Sequence, residues 1–181
     1  PLAGVRIVDL SAVVSGPMAA VMLADQGAEV IKIEPPGWGD GVRGLGASRN
    51  GVSAIFTLIN RNKKSVGLNL KHPQGQQLAE ELIGTADVVL QNYRPGKMKR
   101  LGLDYETLKP RFPELIYLSI SGMGDVGPYA GQKVYDYVIQ GMSGLLEAQG
   151  VQDPYAMVRT IIFDKVTALT AAQAMTAALF A

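Results

Sequence analysis

The chain has 181 residues, a formal net charge of +1 and a hydrophobic content of 48%. Such a chain is long enough for one domain with a substantial core, and its near-neutral charge argues against a general binder of nucleic acid or membranes. It contains no cysteine and one histidine, His72, which excludes a thiolate zinc site and nearly excludes a Ser-His-Asp triad. With no signal peptide and no apolar run of ~20 residues, we expect a soluble cytoplasmic protein.

The first third of the chain predicts a strand–helix–strand unit. Residues 5–10 form an apolar run that is typical of a buried strand. Pro17 suits the first position of a helix, and Gly27 suits its end. Residues 29–34 are the next strand, and together these elements predict a βαβ unit. The glycine-rich loop that follows, residues 35–50, is long for a compact domain, which indicates that it is functional or mobile.

Strands and helices continue to alternate in the rest of the chain. Residues 53–60 fit either a helix or a strand, and the later predicted elements are strands at 64–70, 87–92 and 115–121 and helices at 73–83 and 105–111. This alternation predicts an α/β fold: a doubly wound, mostly parallel, Rossmann-like sheet with both faces covered. Such sheets bind ligands beyond the carboxyl ends of their strands. We therefore expect the site in the loops after Leu10, Glu34, Asn92 and Ser121.

Two common nucleotide-binding motifs are absent from the sequence. The first strand-to-helix turn reads Ser-Ala-Val-Val-Ser-Gly-Pro at 11–17, without the spaced glycines that let a pyrophosphate approach the backbone. A G-x-x-x-x-G-K-[ST] loop does not occur either. An NAD-binding or P-loop function is therefore unsupported.

Two stretches without acidic residues are rich in Arg and Lys. Residues 41–79 hold Arg43, Arg49, Arg61, Lys63, Lys64 and Lys71, and residues 88–103 hold Arg94, Lys97, Lys99 and Arg100. Near the ends of strands, such charges suit a phosphate-bearing ligand, although solvated surface charge explains each patch equally well. Tyr93 could stack on a flat base or close a turn.

Two aspartates lie at the predicted starts of helices. Asp164 separates the apolar run 158–163 from an Ala/Thr-rich segment whose helical pattern starts at Lys165, so we predict that Asp164 is the N-cap. There the positive end of the helix dipole would keep its carboxylate ionised. Asp136 could likewise cap the helical run that starts beside it. A plain capping role is the commoner explanation for both, and His72, before a proline, suits an exposed, non-catalytic position.

Motifs along the whole chain resemble the N-terminal part of the class III CoA-transferases, of the formyl-CoA and carnitine CoA-transferase type. The resemblance covers essentially all 181 residues, and the ordered set of motifs is highly specific. Its carriers are Val-Asp-Leu at 8–10, Ser-Gly-Pro at 15–17, the run 23–34, Pro-Gly-Trp-Gly-Asp at 36–40, Asn-Arg-Asn-Lys-Lys-Ser at 60–65, Leu-Asn-Leu-Lys at 68–71, Asn-Tyr-Arg-Pro-Gly at 92–96, Arg-Leu-Gly at 100–102, Ser-Ile-Ser-Gly at 119–122, Tyr-Asp at 135–136, Gln-Gly-Met-Ser-Gly at 140–144, and Asp164.

The resemblance implies that residues 1–181 are the N-terminal part of a large, CoA-binding α/β domain. A smaller domain and the rest of the large domain would then be missing from this sequence. It also implies a chain roughly twice as long that forms an interlocked homodimer, which agrees with the abrupt end at Ala181 inside a helical pattern. The expected ligands are coenzyme A, as an acyl-CoA substrate, and a small carboxylic acid, with no metal, nucleic acid or membrane.

The resemblance also implies roles for individual residues. Asp164 would be the nucleophile that forms an aspartyl acyl-anhydride and then an aspartyl-CoA thioester, from which CoA passes to the acceptor acid. Asp136 matches an acidic residue of the family's active site and would assist. The positions expected to hold CoA are Val14, Leu68, Lys71, Asn92, Tyr93, Arg100 and Lys133.

The sequence departs from the family's pattern in three places. Val14 replaces a glutamine of the formyl-CoA enzymes, which weakens a formate or oxalate assignment, and Pro35-Pro36 occupies the place of an arginine. Tyr135 stands where racemases of the superfamily have a histidine, which favours a transferase. An acyl-CoA racemase or isomerase and a non-catalytic CoA-binding module remain the alternatives.

Overall fold

A computed structural model of the chain describes residues 1–149 and 156–181. Its centre is a five-stranded, wholly parallel sheet with the order β5-β2-β1-β6-β7. The strands of the described residues are β1 (Arg6–Asp9), β2 (Glu29–Glu34), β3 (Ser48–Arg49), β4 (Val52–Ser53), β5 (Lys63–Gly67), β6 (Val88–Gln91) and β7 (Ile116–Ser119), of which β3 and β4 form a separate antiparallel pair. The predicted α/β class and parallel sheet are confirmed.

Eight α-helices connect or follow these strands in the described part of the chain. They are α1 (Ser15–Ala24), α2 (Ala54–Asn60), α3 (Pro73–Ile83), α4 (Lys97–Arg100), α5 (Tyr105–Leu108), α6 (Asp136–Met142), α7 (Leu145–Ala148) and α8 (Ile162–Phe180). Among them, none is long and apolar enough to cross a membrane.

The structure decides one open assignment and moves several of the predicted boundaries. Residues 54–60 are a helix, because the Ser53 hydroxyl accepts a hydrogen bond from the Phe56 N–H at 3.2 Å and caps it. The strand predicted at 64–70 ends at Gly67, and the Asn69 side chain then accepts from the Lys71 N–H at 3.1 Å in a turn. The loop predicted at 35–50 contains a 3₁₀ helix, Gly41–Gly44, and strand β3.

Helices cover both faces of the sheet because side chains alternate along each strand. Ile7 and Leu90 point to one face, where they pack against α1 and against Ala168, Ala172 and Met175 of α8. Val8 and Val89 point to the other face, where α3 and the segment from Met98 to Leu108 complete a second core. The fold is therefore doubly wound, as predicted.

The order of the strands reverses direction between β1 and β6. From β1 the chain builds outward through β2 to β5, and it then returns to the opposite side of β1 with β6 and β7. A doubly wound sheet binds ligands at this reversal. Here the side chain of Asn92, just after β6, bridges the two loops, since it accepts from the Ala12 N–H at 2.8 Å and donates to the Ala12 carbonyl at 2.7 Å.

Buried charges lie beneath this edge of the sheet. Lys63 Nζ is 2.9 Å from Asp9 Oδ2, and Lys32 Nζ is 3.0 Å from Asp40 Oδ2, with all four side chains almost fully buried. Burial alone would raise the pKa of Asp9, but Lys63 and Lys32 hold it below its usual value. Lys32 also donates to the carbonyl of Ser11 at 2.7 Å, so the network holds the β1–α1 loop.

Glu34 extends this network to the loop after β2. Arg43 binds both of its carboxylate oxygens, at 2.8 and 2.6 Å, and the Ser65 hydroxyl and the Asp40 N–H each donate to it at 2.7 Å. Burial opposes ionisation, but these donors outweigh burial and lower the pKa of Glu34 to about 2. The ionised carboxylate therefore stabilises the folded state.

We predict that Glu34→Gln destabilises the protein in a pH-dependent way. The folded pKa lies below the unfolded value of 4.5, so the stabilisation is complete above pH 4.5 and disappears as the pH falls toward 2. The free energy of unfolding should drop by about 3 kcal/mol at pH 7, and the difference should shrink in acid. Denaturant unfolding at pH 7 and pH 3 measures both values.

Glu29→Gln is the matched control, because Glu29 lies in the same strand and pairs with Arg6 and Lys64 at the surface. Its effect should be much smaller, since exposed ion pairs contribute little. Equal losses for the two variants, or a Glu34→Gln loss that does not change with pH, would contradict the assignment.

Candidate active site

Asp164 lies in the first turn of α8, as its third residue. The N-cap is Ile161, so the prediction that Asp164 caps a helix starting at Lys165 is wrong. The helix begins earlier because the Asp164 N–H, which has no partner within the helix, donates to Oδ1 of Asp136 at 2.9 Å. Asp164 thus has its own backbone capped by a second carboxylate, and its side chain is not engaged in capping.

Asp136 is the first residue of α6 and is buried. The prediction that it could cap its own helix is wrong, because Tyr135 is the N-cap and no side-chain cap bond forms there. Its carboxylate instead connects two helices: Oδ1 accepts from Asp164, and Oδ2 accepts from Gln140 Nε2 at 2.7 Å. Asp136 is therefore a capping residue, but of α8.

Gln140 completes this connection, although its position in a motif had given it no predicted role. Its Nε2 also donates to the carbonyl of Thr160 at 3.0 Å, and its Oε1 accepts from the Val158 N–H at 2.9 Å. The only signal in the sequence was the spacing of two polar residues, Asp136 and Gln140, one helical turn apart in an apolar run.

The surroundings of Asp164 favour its protonated form more than water does. Burial raises the pKa of its carboxyl, the charge of Asp136 raises it further, and the hydroxyl of Ser15 acts in the opposite direction. Ser15 is the first residue of α1, so the N-terminal ends of α1 and α8 meet at this carboxyl. Their dipoles favour negative charge at the same point.

The β1–α1 loop beside Ser15 is strained and tightly held. Val13 has φ +67°, a conformation that costs a β-branched residue about 1–2 kcal/mol. Its N–H donates to Asp40 Oδ1 at 3.2 Å, next to the Asn92–Ala12 bridge. Gly16 is required here, because a Cβ at that position would lie 2.3 Å from the Ser11 side chain.

Val14, predicted to contact CoA, has its side chain in the core. It is 5% exposed and packs with Val42, Ile59 and Ile161, the last being the N-cap of α8. Any ligand contact at this position would therefore fall to its backbone. Asn92 is engaged with Ala12, as described above.

Three of the other residues predicted to hold CoA come together around a cavity of about 120 Å³. Leu68, Lys71 and Tyr93 line it, together with Lys97, whose Nζ lies 3.7 Å from the centre of the Tyr93 ring. Burial lowers the pKa of Lys97, and the nearby charges of Lys71 and Arg100 lower it further. This cluster of like charges suits an anionic ligand. Lys133 is exposed and does not line this cavity.

The buried charged side chains around Asp9 and Asp40 support the edge of the site. That they form a group was not predicted from the sequence. The available signal was a charge inside a buried, parallel-strand pattern: Asp9 in β1 and both Lys32 and Glu34 in β2. Within residues 1–149 and 156–181, no group of three His, Cys, Asp or Glu side chains is arranged to hold a metal ion.

Comparison with known proteins agrees with this fold. The sequence profile of CoA-transferase family III matches residues 2–181, so the chain belongs to this family. A CAIB/BAIF family protein from Brucella suis, 38% identical, superposes with a TM-score of 0.94 over 99% of this chain and 49% of that protein. A hypothetical protein from Mycobacterium tuberculosis, 36% identical, has a TM-score of 0.91 over 99% of this chain and 50% of that one.

Among curated proteins, the chain is 41% identical to the succinate–glutarate CoA-transferase of Agrobacterium fabrum, over 99% of this chain and 47% of the relative. It is 46% identical to the succinyl-CoA:glutarate CoA-transferase of Mus musculus, over 84% and 35%. A formyl-CoA:oxalate CoA-transferase from Rhodopseudomonas palustris is 41% identical over 99% and 42%. The chain therefore spans less than half the length of each of these relatives.

We predict that Asp136→Asn lowers the pKa of Asp164. The substitution removes the nearby charge that opposes ionisation, whereas burial remains. The measurement is the ¹³C NMR titration of the Asp164 carboxyl carbon. Glu147→Gln, in the neighbouring helix α7, is the control and should leave the titration unchanged. An unchanged or higher pKa in Asp136→Asn would show that Asp136 does not set the charge of Asp164.

Proposed function

We propose that the protein transfers CoA from an acyl-CoA to a carboxylic acid, with Asp164 as the nucleophile. The observation that carries this proposal is a half-buried carboxylate at the meeting of two helix N-termini, with its pKa raised by burial and by Asp136. A carboxylate with a raised pKa is more basic, and therefore more nucleophilic once ionised, than one in water. Family membership supports the same chemistry.

The proposed reaction exchanges bonds in four steps. The Asp164 carboxylate attacks the thioester carbonyl, which forms a mixed anhydride and releases CoA thiolate. The thiolate attacks the aspartyl carbonyl, giving an aspartyl-CoA thioester and the donor acid. The acceptor carboxylate then attacks this thioester to form a second anhydride and thiolate. The thiolate finally attacks the acceptor's carbonyl, which yields the new acyl-CoA and regenerates Asp164.

Two features of the site would assist these steps. Each attack on a carbonyl produces a transient oxyanion, and the N-terminal ends of α1 and α8 present positive partial charge where it would form. Asp136 holds the backbone of the nucleophile through the Asp164 N–H. Asp136 would therefore act on the reaction by fixing the position of Asp164 and by raising its pKa.

The basic cavity is proposed to hold the nucleotide end of CoA. Lys71, Lys97 and Arg100 would neutralise phosphates, and Tyr93 and Leu68 offer apolar surface for the base.

Two relatives are named for succinate or succinyl-CoA and glutarate, so dicarboxylic acids are the first acceptors to test. The resemblance further suggests an interlocked homodimer.

We predict that incubation of the natural, full-length protein with an acyl-CoA labels Asp164. Hydroxylamine converts an aspartyl thioester or anhydride to a hydroxamate, which peptide mass spectrometry locates. Asp164→Asn should abolish the label and reduce turnover by roughly 10³-fold or more. Asp125→Asn, in the loop after β7, is the control and should behave as wild type.

Three results would contradict the proposal in different ways. Turnover without modification of Asp164 would exclude the covalent route. Entry of solvent deuterium at the α-carbon of the acyl group, without any acceptor acid, would identify a racemase or isomerase. Equal binding of CoA by wild type and Asp164→Ala, with no turnover of any donor–acceptor pair, would identify a CoA-binding module.

We predict that Lys97→Met weakens CoA binding by roughly 10- to 100-fold, since a charge-assisted contact to phosphate contributes about 1.5–3 kcal/mol. Titration calorimetry at two salt concentrations measures this loss, and the salt dependence of binding should decrease. Lys109→Met is a matched control, because Lys109 lies over another ring, that of Tyr105, at 5.1 Å and away from the cavity. Equal losses of CoA affinity in both variants would show that CoA does not bind in this cavity.

A further inference from the structure

We propose that Gln140 is a positioning residue, which orients Asp136 so that Asp136 in turn fixes the nucleophile Asp164. The proposal rests on the function proposed above. Gln140 does not touch Asp164, and its hydrogen bonds run to Asp136 and to the segment that leads into α8.

The contacts of Gln140 use all of its hydrogen-bonding groups. Its side chain is 0% exposed. One side of the amide donates to Asp136 at 2.7 Å and to the carbonyl of Thr160 at 3.0 Å, and the other side accepts from the N–H of Val158 at 2.9 Å. A buried amide is costly unless it is paired in this way. The pairing joins helix α6 to a segment 18–20 residues further along the chain.

The orientation of Asp136 follows from this pairing. One oxygen is taken by Gln140, so the other is directed at the Asp164 N–H, 2.9 Å away. Both the path of the chain before α8 and the first turn of α8 are thereby tied to the same two side chains. Without the amide, Asp136 is free to rotate, and the carbonyl of Thr160 loses a buried partner. The position of the Asp164 carboxylate then becomes variable.

A glutamate at position 140 tests this arrangement because it can replace the amide only when protonated. The acid O–H can donate to Asp136, and the second oxygen can accept from the Val158 N–H. Once the proton is lost, two carboxylates face each other and repel. In Gln140→Glu, the rate of adduct formation on Asp164 should therefore fall by roughly tenfold or more as the pH rises from 5 to 8. Wild type should show no such decrease.

Two further variants complete the experiment. Gln140→Met keeps the volume but removes the amide, and its adduct rate should be reduced at every pH without the new pH dependence. Gln149→Glu is the matched control: Gln149 Nε2 also donates to a carbonyl before α8, that of Ala156 at 3.1 Å, but it contacts no carboxylate among the described residues. Its pH profile should match wild type.

Circular dichroism and CoA binding are measured on each variant, so that rates refer to folded protein. A wild-type protein that forms no adduct on Asp164 would reject the proposed function itself. A wild-type adduct together with a Gln140→Glu profile parallel to wild type would reject only the role of Gln140. If Gln140→Glu and Gln140→Met are both unfolded, the residue serves core stability, and the positioning role is likewise rejected.

Discussion

The structure at the carboxyl ends of the strands depends on two buried ion pairs, Asp9–Lys63 and Lys32–Asp40. Removing a charge from water costs several kcal/mol, so each member must be matched by its partner and by further hydrogen bonds. Those bonds run to the backbone of the β1–α1 loop, at Ser11 and Val13. The need to pair the charges thus determines the path of a loop that contains a strained residue, which persists because its neighbours hold it.

The site built on this edge brings the N-terminal end of α8 against that of α1. Asp164 experiences two opposing influences there: burial and Asp136 disfavour its charge, whereas the helix dipoles and Ser15 favour it. Burial and Asp136 make the carboxylate more basic, whereas the helix dipoles and Ser15 leave it able to ionise. A carboxyl group in such surroundings lowers the stability of the fold at neutral pH, because its folded pKa is raised and the ionised form is the disfavoured one.

Much of the fold was predictable from local patterns. The alternation of apolar strands with helices identified the parallel, doubly wound sheet, and the Ser53 cap agreed with the helical alternative for residues 54–60.

The predicted start of α8 was wrong for a clear reason. The sequence pattern assumed that Asp164 caps its own helix, but the capping carboxylate comes from Asp136, 28 residues earlier. Likewise, the resemblance implied a CoA contact at Val14, but only the tertiary structure shows that its side chain is buried in a cluster with Val42 and Ile59.

The sequence by itself determined the fold class, the family resemblance and the two aspartates of the candidate site, because these depend on residue type, order and spacing along the chain. Tertiary structure decided the surroundings of those aspartates: Asp136 caps α8, the pKa of Asp164 is raised, and Gln140 joins Asp136 to the segment before α8. It also decided that charges in β1 and β2 become buried pairs. These properties arise from hydrogen bonds, burial and charge between residues far apart in sequence, and no local pattern contains them.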